Sequence, residues 1–504
     1  MKATLLFISL TLIYIIFRLI NIKALPLYLD EGNYVWWAKL FTGSDNFAYV
    51  SLQDGKTPLF VWLITYFNQY FHDYLLTARV ISVAAGGLTL LCWMLLVNWI
   101  ENIKMALLFW LVVLVTPFDV LITRLGLMDS LMTAFVSLSV LSLTLVKQQL
   151  EQKKSWLAVV FGLLGGMSLG LAYLTKTSAK VFLPVFLIIV LIWIGGWLRK
   201  GLTQVCWLIT SMVVGLIAYY QVIDLIRTGG YRFWAMIQMK EILLTFTPNQ
   251  VLDRLLWHPD YSLYLSNLPL LGQYGLFYLA GSVLFISVGI YILVCRYPGR
   301  YLWLLILAIL PVVGIFLSAR ILASRYFYVA VPALMMISLF GIKQLWGQRV
   351  GRMVVVLLLM INLILTVKMQ LTPLVAAYSE DDKSYLVESD LTALGASQIV
   401  GLLTDPARSI VGISGQWGVA EGAMVILEQS GVKTIKLTNW LEVNDQGGQV
   451  KLDGLLKSPQ PDRYLYLTED RGELKLLQSL TKIEIIKTWI RSGSGRQVHL
   501  IKLL

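Results

Sequence analysis

Long apolar runs separated by short polar turns fill the first 370 residues of the chain. A helix needs roughly 20 apolar residues to cross the hydrocarbon core of a bilayer. The pattern therefore predicts about eleven membrane-spanning helices, within a range of about 10 to 13. The runs lie at 4–22, 77–100, 105–122, 127–146, 156–174, 179–198, 202–224, 276–295, 301–319, 325–346 and 352–370. The apolar segment 59–71 is too short to cross, and it predicts a helix lying at the membrane interface.

The composition is that of a polytopic α-helical membrane protein. Of the 504 residues, 58% are hydrophobic and 14% are charged, whereas about a quarter of a soluble domain is charged. The net charge of +12 does not indicate nucleic acid, because surplus Lys and Arg in membrane proteins gather in cytoplasmic loops and near anionic lipids. Cys92, Cys206 and Cys295 lie inside apolar runs, and their spacing fits neither a metal site nor a disulfide framework.

Basic residues predict the orientation of the chain. With the N-terminus inside, most predicted cytoplasmic turns carry basic residues, as the positive-inside rule expects. These residues are Lys104, Lys147, Lys153, Lys154, Arg199, Lys200, Arg296, Arg300, Lys343, Arg349 and Arg352. The outer loops 23–76 and 225–275 and the tail 371–504 then face the extracytoplasmic side of the cytoplasmic (inner) membrane.

The tail differs in composition from the preceding residues. An acidic stretch, "YSEDDKSYLVESD", is followed by alternating segments that predict strands: "SIVGISG", "VKTIKL", "DRYLYLT" and "RQVHLIKLL". Between the first two, "AEGAMVILEQSG" has helical spacing and ends in Gly431, a candidate C-cap. We expect residues 1–370 to form the membrane domain and 371–504 a small α/β domain with an accessory or acceptor-positioning role.

Asp30 and Glu31 follow the first apolar run, within "LPLYLDEGNYVWWAKLF". The pair could be a solvated turn, but a carboxylate at membrane depth is costly unless it is paired or used in function. Such a carboxylate can accept a proton from an attacking hydroxyl or bind a cation beside a phosphate. The following "VWWAKLF" resembles an interfacial helix anchored by Trp36 and Trp37.

Basic side chains also occur on the predicted outer face, where the positive-inside rule would keep them sparse. They are Lys56, Arg124, Lys176, Lys180 and Arg325. An anionic lipid phosphate would explain them, although Lys56 could equally bind lipid headgroups. Asp129 lies near Arg124 at the outer end of a predicted span, and it is either a functional acid or part of a local ion pair or cap.

His258, in the predicted loop 225–275, is the candidate metal ligand. A single histidine is more often structural than a ligand, so the sequence predicts no certain cofactor and leaves a divalent cation open.

Several short elements, taken in order, make residues 4–370 resemble the GT-C superfamily of membrane glycosyltransferases. The likeness is to the bacterial branch related to protein O-mannosyltransferases and lipid A aminoarabinose transferases. The elements are the pair Asp30-Glu31, "KTPL" from Lys56, the spacing from Arg124 to Asp129, "GLAYLTK" ending at Lys176, and "SRYFYVAVPAL" around Arg325. The family element corresponding to "KTPL" reads "KPPL", so Thr57 departs from the pattern. The tail matches no family motif.

The resemblance implies roles for these residues. Asp30 would be the catalytic carboxylate that activates the acceptor, Glu31 its neighbour in the motif, and Asp129 a second acid of the site. Lys56 and Arg325 would hold the phosphate of a polyprenyl-phosphate sugar donor. Arg124 and Lys176 would assist them.

The resemblance thus implies a glycosyltransferase that acts with inversion at the outer membrane face. Its partners would be the lipid-linked donor, membrane lipids, and an acceptor hydroxyl or phosphate on a lipid, glycan or protein. Two other classes stay open: a lipid or sugar transporter (flippase), and a membrane-anchored assembly protein. A transporter would show inverted repeats and broken helices at mid-membrane, whereas the charges in this sequence gather at one predicted face and no internal repeat is seen.

Overall fold

The computed structural model describes residues 2–54, 56–152, 154–197, 282–297, 299–318 and 323–373, and parts of the tail. In the tail the described residues are 392–393, 395–414, 418–437, 455, 462–467, 474, 477–478, 481–490 and 497–504. The predicted span 202–224 and the predicted loop 225–275 lie outside the described residues.

Helices follow the apolar runs through the first part of the chain. They are α1 Lys2–Leu19, α2 Leu29–Gly43, α3 Leu59–Phe71, α4 Tyr74–Ile100, α5 Ile103–Leu114, α6 Pro117–Arg124, α7 Met128–Glu151, α8 Ser155–Thr175, α9 Phe182–Trp197, α10 Val283–Arg296, α11 Leu302–Ser318, α12 Val331–Trp346 and α13 Arg349–Leu371. Local chemistry sets their starts. The Asp73 carboxylate accepts from the Leu76 amide at 2.9 Å and caps α4. A 3₁₀ segment, Ser324–Ala330, leads directly into α12.

Several helices of this region are long enough to cross a membrane. Among the described residues, five helical segments are long and apolar enough to span a bilayer. They are Tyr74–Ile100, Met128–Glu151, Trp156–Thr175, Ser324–Trp346 and Arg349–Leu371. The protein is therefore a multi-pass helical membrane protein, as predicted, while the number of eleven spans stays a prediction.

The predicted span 105–122 is broken. The helices α5 and α6 meet at an angle of 66° between Leu114 and Pro117. Pro117 has no amide hydrogen and is accommodated in the first turn of a new helix, where that hydrogen is not needed.

A buried polar cluster joins three elements inside the helical region. The Asp119 carboxylate of α6 accepts from the hydroxyls of Tyr14 and Tyr328, each at 2.6 Å, and from the Arg18 guanidinium at 2.9 Å. Unpaired charges buried inside the protein would be costly, so these bonds favour one arrangement of the elements. The cluster thereby fixes the segment Ser324–Ala330, which also carries Arg325.

The described tail contains a five-stranded sheet with strand order β4-β3-β5-β7-β6. The strands are β3 Ser409–Ser414, β4 Lys433–Leu437, β5 Asp462–Leu467, β6 Ile483–Ile490 and β7 Gln497–Leu503. β3 is parallel to β4 and β5, whereas β7 is antiparallel to β5 and β6. A short helix α14, Ala396–Ile399, precedes β3, and helix α15, Val419–Gln429, connects β3 to β4. The four strands and the helix predicted from the sequence are confirmed, and the domain boundary at residue 370 stays a prediction.

Strand β6 was not predicted. Its pairing with β7 shifts register between Ile485 and Lys487. A bulge of this kind interrupts the alternation of apolar and polar positions on which a strand prediction depends.

The tail also pairs with the segment that precedes α2. Strand β1, Leu27–Tyr28, is antiparallel to β2, Thr392–Ala393, with Leu27 opposite Ala393 and Tyr28 opposite Thr392. The helix α2 begins directly after β1.

Candidate active site

Helix α2 presents the two neighbouring acids in its first turn. Carboxylates are favoured there by the partial positive charge of a helix N-terminus. Successive residues of a helix point about 100° apart, so Asp30 and Glu31 face different surroundings.

Asp30 is bound by two cations from distant parts of the chain. Its Oδ1 lies 3.0 Å from Lys56 Nζ, and its Oδ2 forms an ion pair with Arg325. The three side chains retain limited exposure, 10% for Asp30, 25% for Lys56 and 17% for Arg325. This exposure leaves the group open to a ligand.

The charges of the cluster alter its acid–base behaviour. Burial alone would raise the pKa of Asp30, but the positive charges of Arg325 and Lys56 outweigh it and hold that pKa below its usual range. Burial alone would lower the pKa of Lys56, and neighbours that include Asp30 and Asp54 raise it instead. Asp30 is consequently an ionised carboxylate, and Lys56 is an ammonium ion.

Aromatic rings of α2 line the Lys56 side. The Lys56 Nζ lies 5.2 Å from the ring centre of Tyr34 and 5.5 Å from that of Trp37, within the range of a cation–π contact. The predicted anchoring of α2 in the interface by Trp36 and Trp37 is wrong for Trp37, which is 3% exposed and packs inside the protein. The reason is that α2 packs against α3, α4 and α15 instead of lying free on the membrane surface.

Asp129 forms a second ion pair beside the first. It lies in the first turn of α7, and its Oδ1 is 2.5 Å from Lys176 Nζ, directly after α8. The ring of Tyr326 lies 4.6 Å from Lys176 Nζ and 5.4 Å from the Arg325 guanidinium carbon. Tyr326 thus connects the two ion pairs, and Arg325 also lies 5.5 Å from the Tyr28 ring.

Tyr34 lies close to both ion pairs. Burial raises the pKa of its hydroxyl; the cations Lys56 and Arg325 act against that rise, and the carboxylates Asp30 and Asp129 add to it. The Asp30 ion pairs with Lys56 and Arg325, and the Tyr326 ring beside both Arg325 and Lys176, bring the predicted residues Asp30, Lys56, Asp129 and Arg325 into one cluster.

Glu31 is part of the protein interior. Both it and Arg79 are fully buried, and they form a two-point ion pair with two contacts of 2.8 Å. The remaining acceptor positions are filled by the Gly126 amide at 2.6 Å and the Tyr28 amide at 3.0 Å. This arrangement fixes the start of α2 against α4 and leaves no face of Glu31 open to a substrate.

The structure does not bring Arg124 to the ion pairs around Asp30. Its guanidinium donates to the carbonyls of Ile20 at 2.9 Å, Asn21 at 2.7 Å, Met369 at 2.9 Å and Gln370 at 3.3 Å. The side chain is 1% exposed and joins the ends of α1 and α13. It therefore satisfies helix C-termini, where cations are favoured.

The sequence interpretation gave no role in the site to Tyr28, Tyr34, Tyr326 or Arg79. The three tyrosines stand within or beside the quoted motifs, so the signal was their closeness to charged residues. Arg79 gave no such signal, because it lies inside an apolar run and its partner Glu31 is 48 positions away.

The part of the chain that the structure describes contains no evident metal site. Within it, no group of three or more His, Cys, Asp or Glu side chains could hold a metal ion. The candidate ligand His258 and the Lys180 side chain are not among the described atoms.

Comparison with solved structures gives the class of the fold. The chain is similar to ArnT from Cupriavidus metallidurans in the apo state, with a TM-score of 0.59, 15% identity, and coverage of 99% of this chain and 97% of that one. It is also similar to the same protein bound to undecaprenyl phosphate, with a TM-score of 0.56 and the same identity and coverage. An oligosaccharyltransferase from Archaeoglobus fulgidus matches more weakly, at a TM-score of 0.49 and 11% identity. The chain therefore shares the fold of the two ArnT structures.

A family comparison matches part of the chain. Residues 55–222 match the family model described as dolichyl-phosphate-mannose-protein mannosyltransferase. Among curated protein sequences, the comparison found no match. The chain thus shares its fold with a solved membrane protein, and part of it matches a mannosyltransferase family model.

Proposed function

We propose that this protein is a GT-C-type membrane glycosyltransferase that moves a sugar from a polyprenyl-phosphate donor to an acceptor at the outer face of the cytoplasmic membrane, with inversion at the anomeric carbon. The acceptor group would be a hydroxyl or phosphate of a lipid, a glycan or a protein. The observation that carries the proposal is the Asp30 carboxylate, held between Lys56 and Arg325 at the start of α2. One site thus contains a base and two cations suited to a phosphate.

Two comparisons support a lipid phosphate as the donor group. The matched family is described by its dolichyl-phosphate-mannose donor, and the solved ArnT structure contains undecaprenyl phosphate. Both molecules carry a phosphate on a long isoprenoid chain. A multi-pass protein keeps its site at the depth where such a phosphate lies.

Lys56 and Arg325 would hold the donor phosphate. An ammonium group is a compact charge, and a guanidinium offers a planar set of donors that matches phosphate oxygens. Asp30 forms ion pairs with both cations in this structure, so the donor phosphate would compete with Asp30 for them. During the reaction the same cations would stabilise the negative charge of the departing phosphate.

Asp30 would then act as the general base. While it is paired with Lys56 and Arg325 its pKa is low, and it is a weak base. A phosphate bound to these cations would divert their charge and add its own, which raises the pKa of Asp30. The base would therefore become effective once the donor is in place.

The reaction balances without a covalent intermediate. The acceptor hydroxyl gives its proton to Asp30, and its oxygen forms a bond to the anomeric carbon. The bond from that carbon to the phosphate oxygen breaks, and polyprenyl phosphate leaves. Attack from the face opposite the phosphate inverts the centre. In this scheme Asp129 and Lys176 are the second acid and its cation, whereas Glu31 and Arg124 hold the scaffold.

The test is sugar transfer by purified protein in liposomes supplied with polyprenyl-phosphate hexoses and pentoses and a lipid extract as acceptor. We expect the wild type to release polyprenyl phosphate, and Asp30→Asn to lose about a hundredfold or more, the range of general base catalysis. Lys23→Gln is the matched control, because Lys23 pairs with Asp73 at the exposed surface. Wild-type rates in Asp30→Asn would show the mechanism to be wrong.

A further inference from the structure

The helix that carries Asp30 touches the tail backbone to backbone. A Cβ atom added at Gly32 would lie 1.8 Å from the Gly418 carbonyl oxygen, and one added at Gly422 would lie 2.7 Å from Gly32 Cα. Contacts this close exclude any side chain at these positions. Gly418 directly precedes α15, and its φ of +85° is another reason for glycine there.

Other contacts between α2 and the tail lie on both sides of Asp30. Before it, β1 pairs with β2 of the tail. After it, Lys39 of α2 forms an ion pair with Glu428 of α15, and both side chains are 28% exposed. The position of Gly418 is itself set by Glu421, whose Oε2 accepts from the Gly418 amide at 2.6 Å.

The membrane region holds the same turn of α2 from another direction. Glu31, next to Asp30, is bound by Arg79 of α4 and by the Gly126 amide. The first turn of α2 is thus held between the membrane helices and the tail. Neither part alone supplies all of its contacts.

We infer that the tail is a positioning part of the active site: α15 and β2 hold α2 so that Asp30 meets the acceptor, and Gly32, Gly418 and Gly422 are positioning residues. This inference rests on the proposed function, because it gives these glycines a role in placing the base of that reaction. The accessory domain predicted from the sequence is then required for catalysis itself.

A methyl group at Gly32 would displace the base. To bring its contact with Gly418 from 1.8 to 3.0 Å, the two backbones must separate by about 1 Å. A misplacement of about 1 Å at a reacting group can cost about a hundredfold in rate. We expect Gly32→Ala and Gly422→Ala each to lower kcat between about tenfold and about a hundredfold.

Donor binding should be affected little, since Lys56 and Arg325 both lie outside α2, with Arg325 in the segment Ser324–Ala330. The Kd for undecaprenyl phosphate should stay within about threefold of the wild-type value. Titration with undecaprenyl phosphate also counts the folded sites, so that kcat is expressed per binding site. A variant that yields less folded protein therefore does not show a lower kcat for that reason alone.

The chain offers matched controls. Gly43 ends α2, and Gly401 lies in the tail; a Cβ atom added at either would meet nothing within 4 Å. Gly43→Ala and Gly401→Ala should keep wild-type kcat and KM.

The ion pair between Lys39 and Glu428 provides a milder perturbation that leaves the glycines intact. Reversing one charge, in Lys39→Glu or Glu428→Lys, should lower kcat per binding site about two- to fivefold, the range of a partly exposed pair. Reversing both should restore it.

The outcomes separate this inference from the function on which it rests. If the wild type transfers no sugar from any donor, the proposed function fails, and the inference fails with it. If the wild type is active but Gly32→Ala and Gly422→Ala match their controls in kcat per site, only the inference is overturned. An active wild type with slow glycine variants and rescue by the double charge reversal supports it.

Discussion

Asp30 and Glu31 are adjacent acids, but their substitution should affect different properties of the protein. Glu31 and Arg79 are both fully buried, and Glu31 accepts from Arg79, Gly126 and Tyr28 at distances between 2.6 and 3.0 Å. Asp30 meets cations that keep contact with solvent. We expect Glu31→Gln to lose stability and Asp30→Asn to lose activity.

The magnitudes follow from burial. Removing one partner of a buried ion pair costs roughly 3–5 kcal/mol, because the other charge stays uncompensated. Glu31→Gln should fall in this range, since its amide nitrogen would also face donors of Arg79 or the backbone. Lys56 and Arg325 keep side-chain exposures of 25% and 17%, so Asp30→Asn should cost less than Glu31→Gln, about 1–2 kcal/mol.

A denaturant titration in mixed micelles gives the free energy of unfolding of both variants. Sugar transfer is measured separately, per folded molecule and at low temperature. Folded Glu31→Gln should retain transfer within about tenfold of wild type, whereas Asp30→Asn should be about a hundredfold slower. The reasoning is refuted if Glu31→Gln is as stable as the wild type, or if the two variants lose stability equally.

Three further predictions concern the surroundings of the site. Arg124→Gln should lower the free energy of unfolding by about 2 kcal/mol or more, because it leaves buried carbonyls without their donor; an altered Kd for undecaprenyl phosphate at unchanged stability would contradict this. Tyr328→Phe removes one donor to Asp119 and should lower the free energy of unfolding by about 1 kcal/mol in the same titration. An increased Kd for undecaprenyl phosphate at unchanged stability would contradict this. Folding lowers the pKa of Asp30 below its ordinary value of 3.8, so its contribution to stability is present above that value and is lost as the pH falls through the lower folded-state pKa. The stability difference between wild type and Asp30→Asn should therefore be constant from pH 7 to about pH 5 and shrink below pH 3.8, and a difference that already shrinks near neutral pH would contradict the assigned ion pairs.

The sequence predicted the parts of the fold that depend on local pattern. Apolar runs of sufficient length gave the spanning helices Tyr74–Ile100 and Arg349–Leu371, and alternation gave strands such as Ser409–Ser414. The bend between α5 and α6 was missed because hydropathy does not register the effect of Pro117 on the backbone. The pairing of β1 with the tail was missed because two-residue strands carry no periodic signal.

The site was predicted in its residue types and only partly in their arrangement. Asp30, Lys56 and Arg325 could be selected because charged side chains beside apolar runs need a reason. The same rule selected Arg124, yet hydropathy cannot distinguish a cation that holds helix ends from one that faces a ligand. The separation of Asp30 from Glu31 could have been anticipated, since neighbours on a helix point about 100° apart.

The affinity of purified protein for undecaprenyl phosphate tests the central claim most directly, because it requires no knowledge of the sugar or the acceptor. Loss of one charged contact to a phosphate costs about 1.5–3 kcal/mol. We predict that Lys56→Gln and Arg325→Gln each weaken binding about tenfold or more, while Lys23→Gln binds as the wild type does. Equal affinity in all four proteins would contradict the assignment of this site to a lipid phosphate.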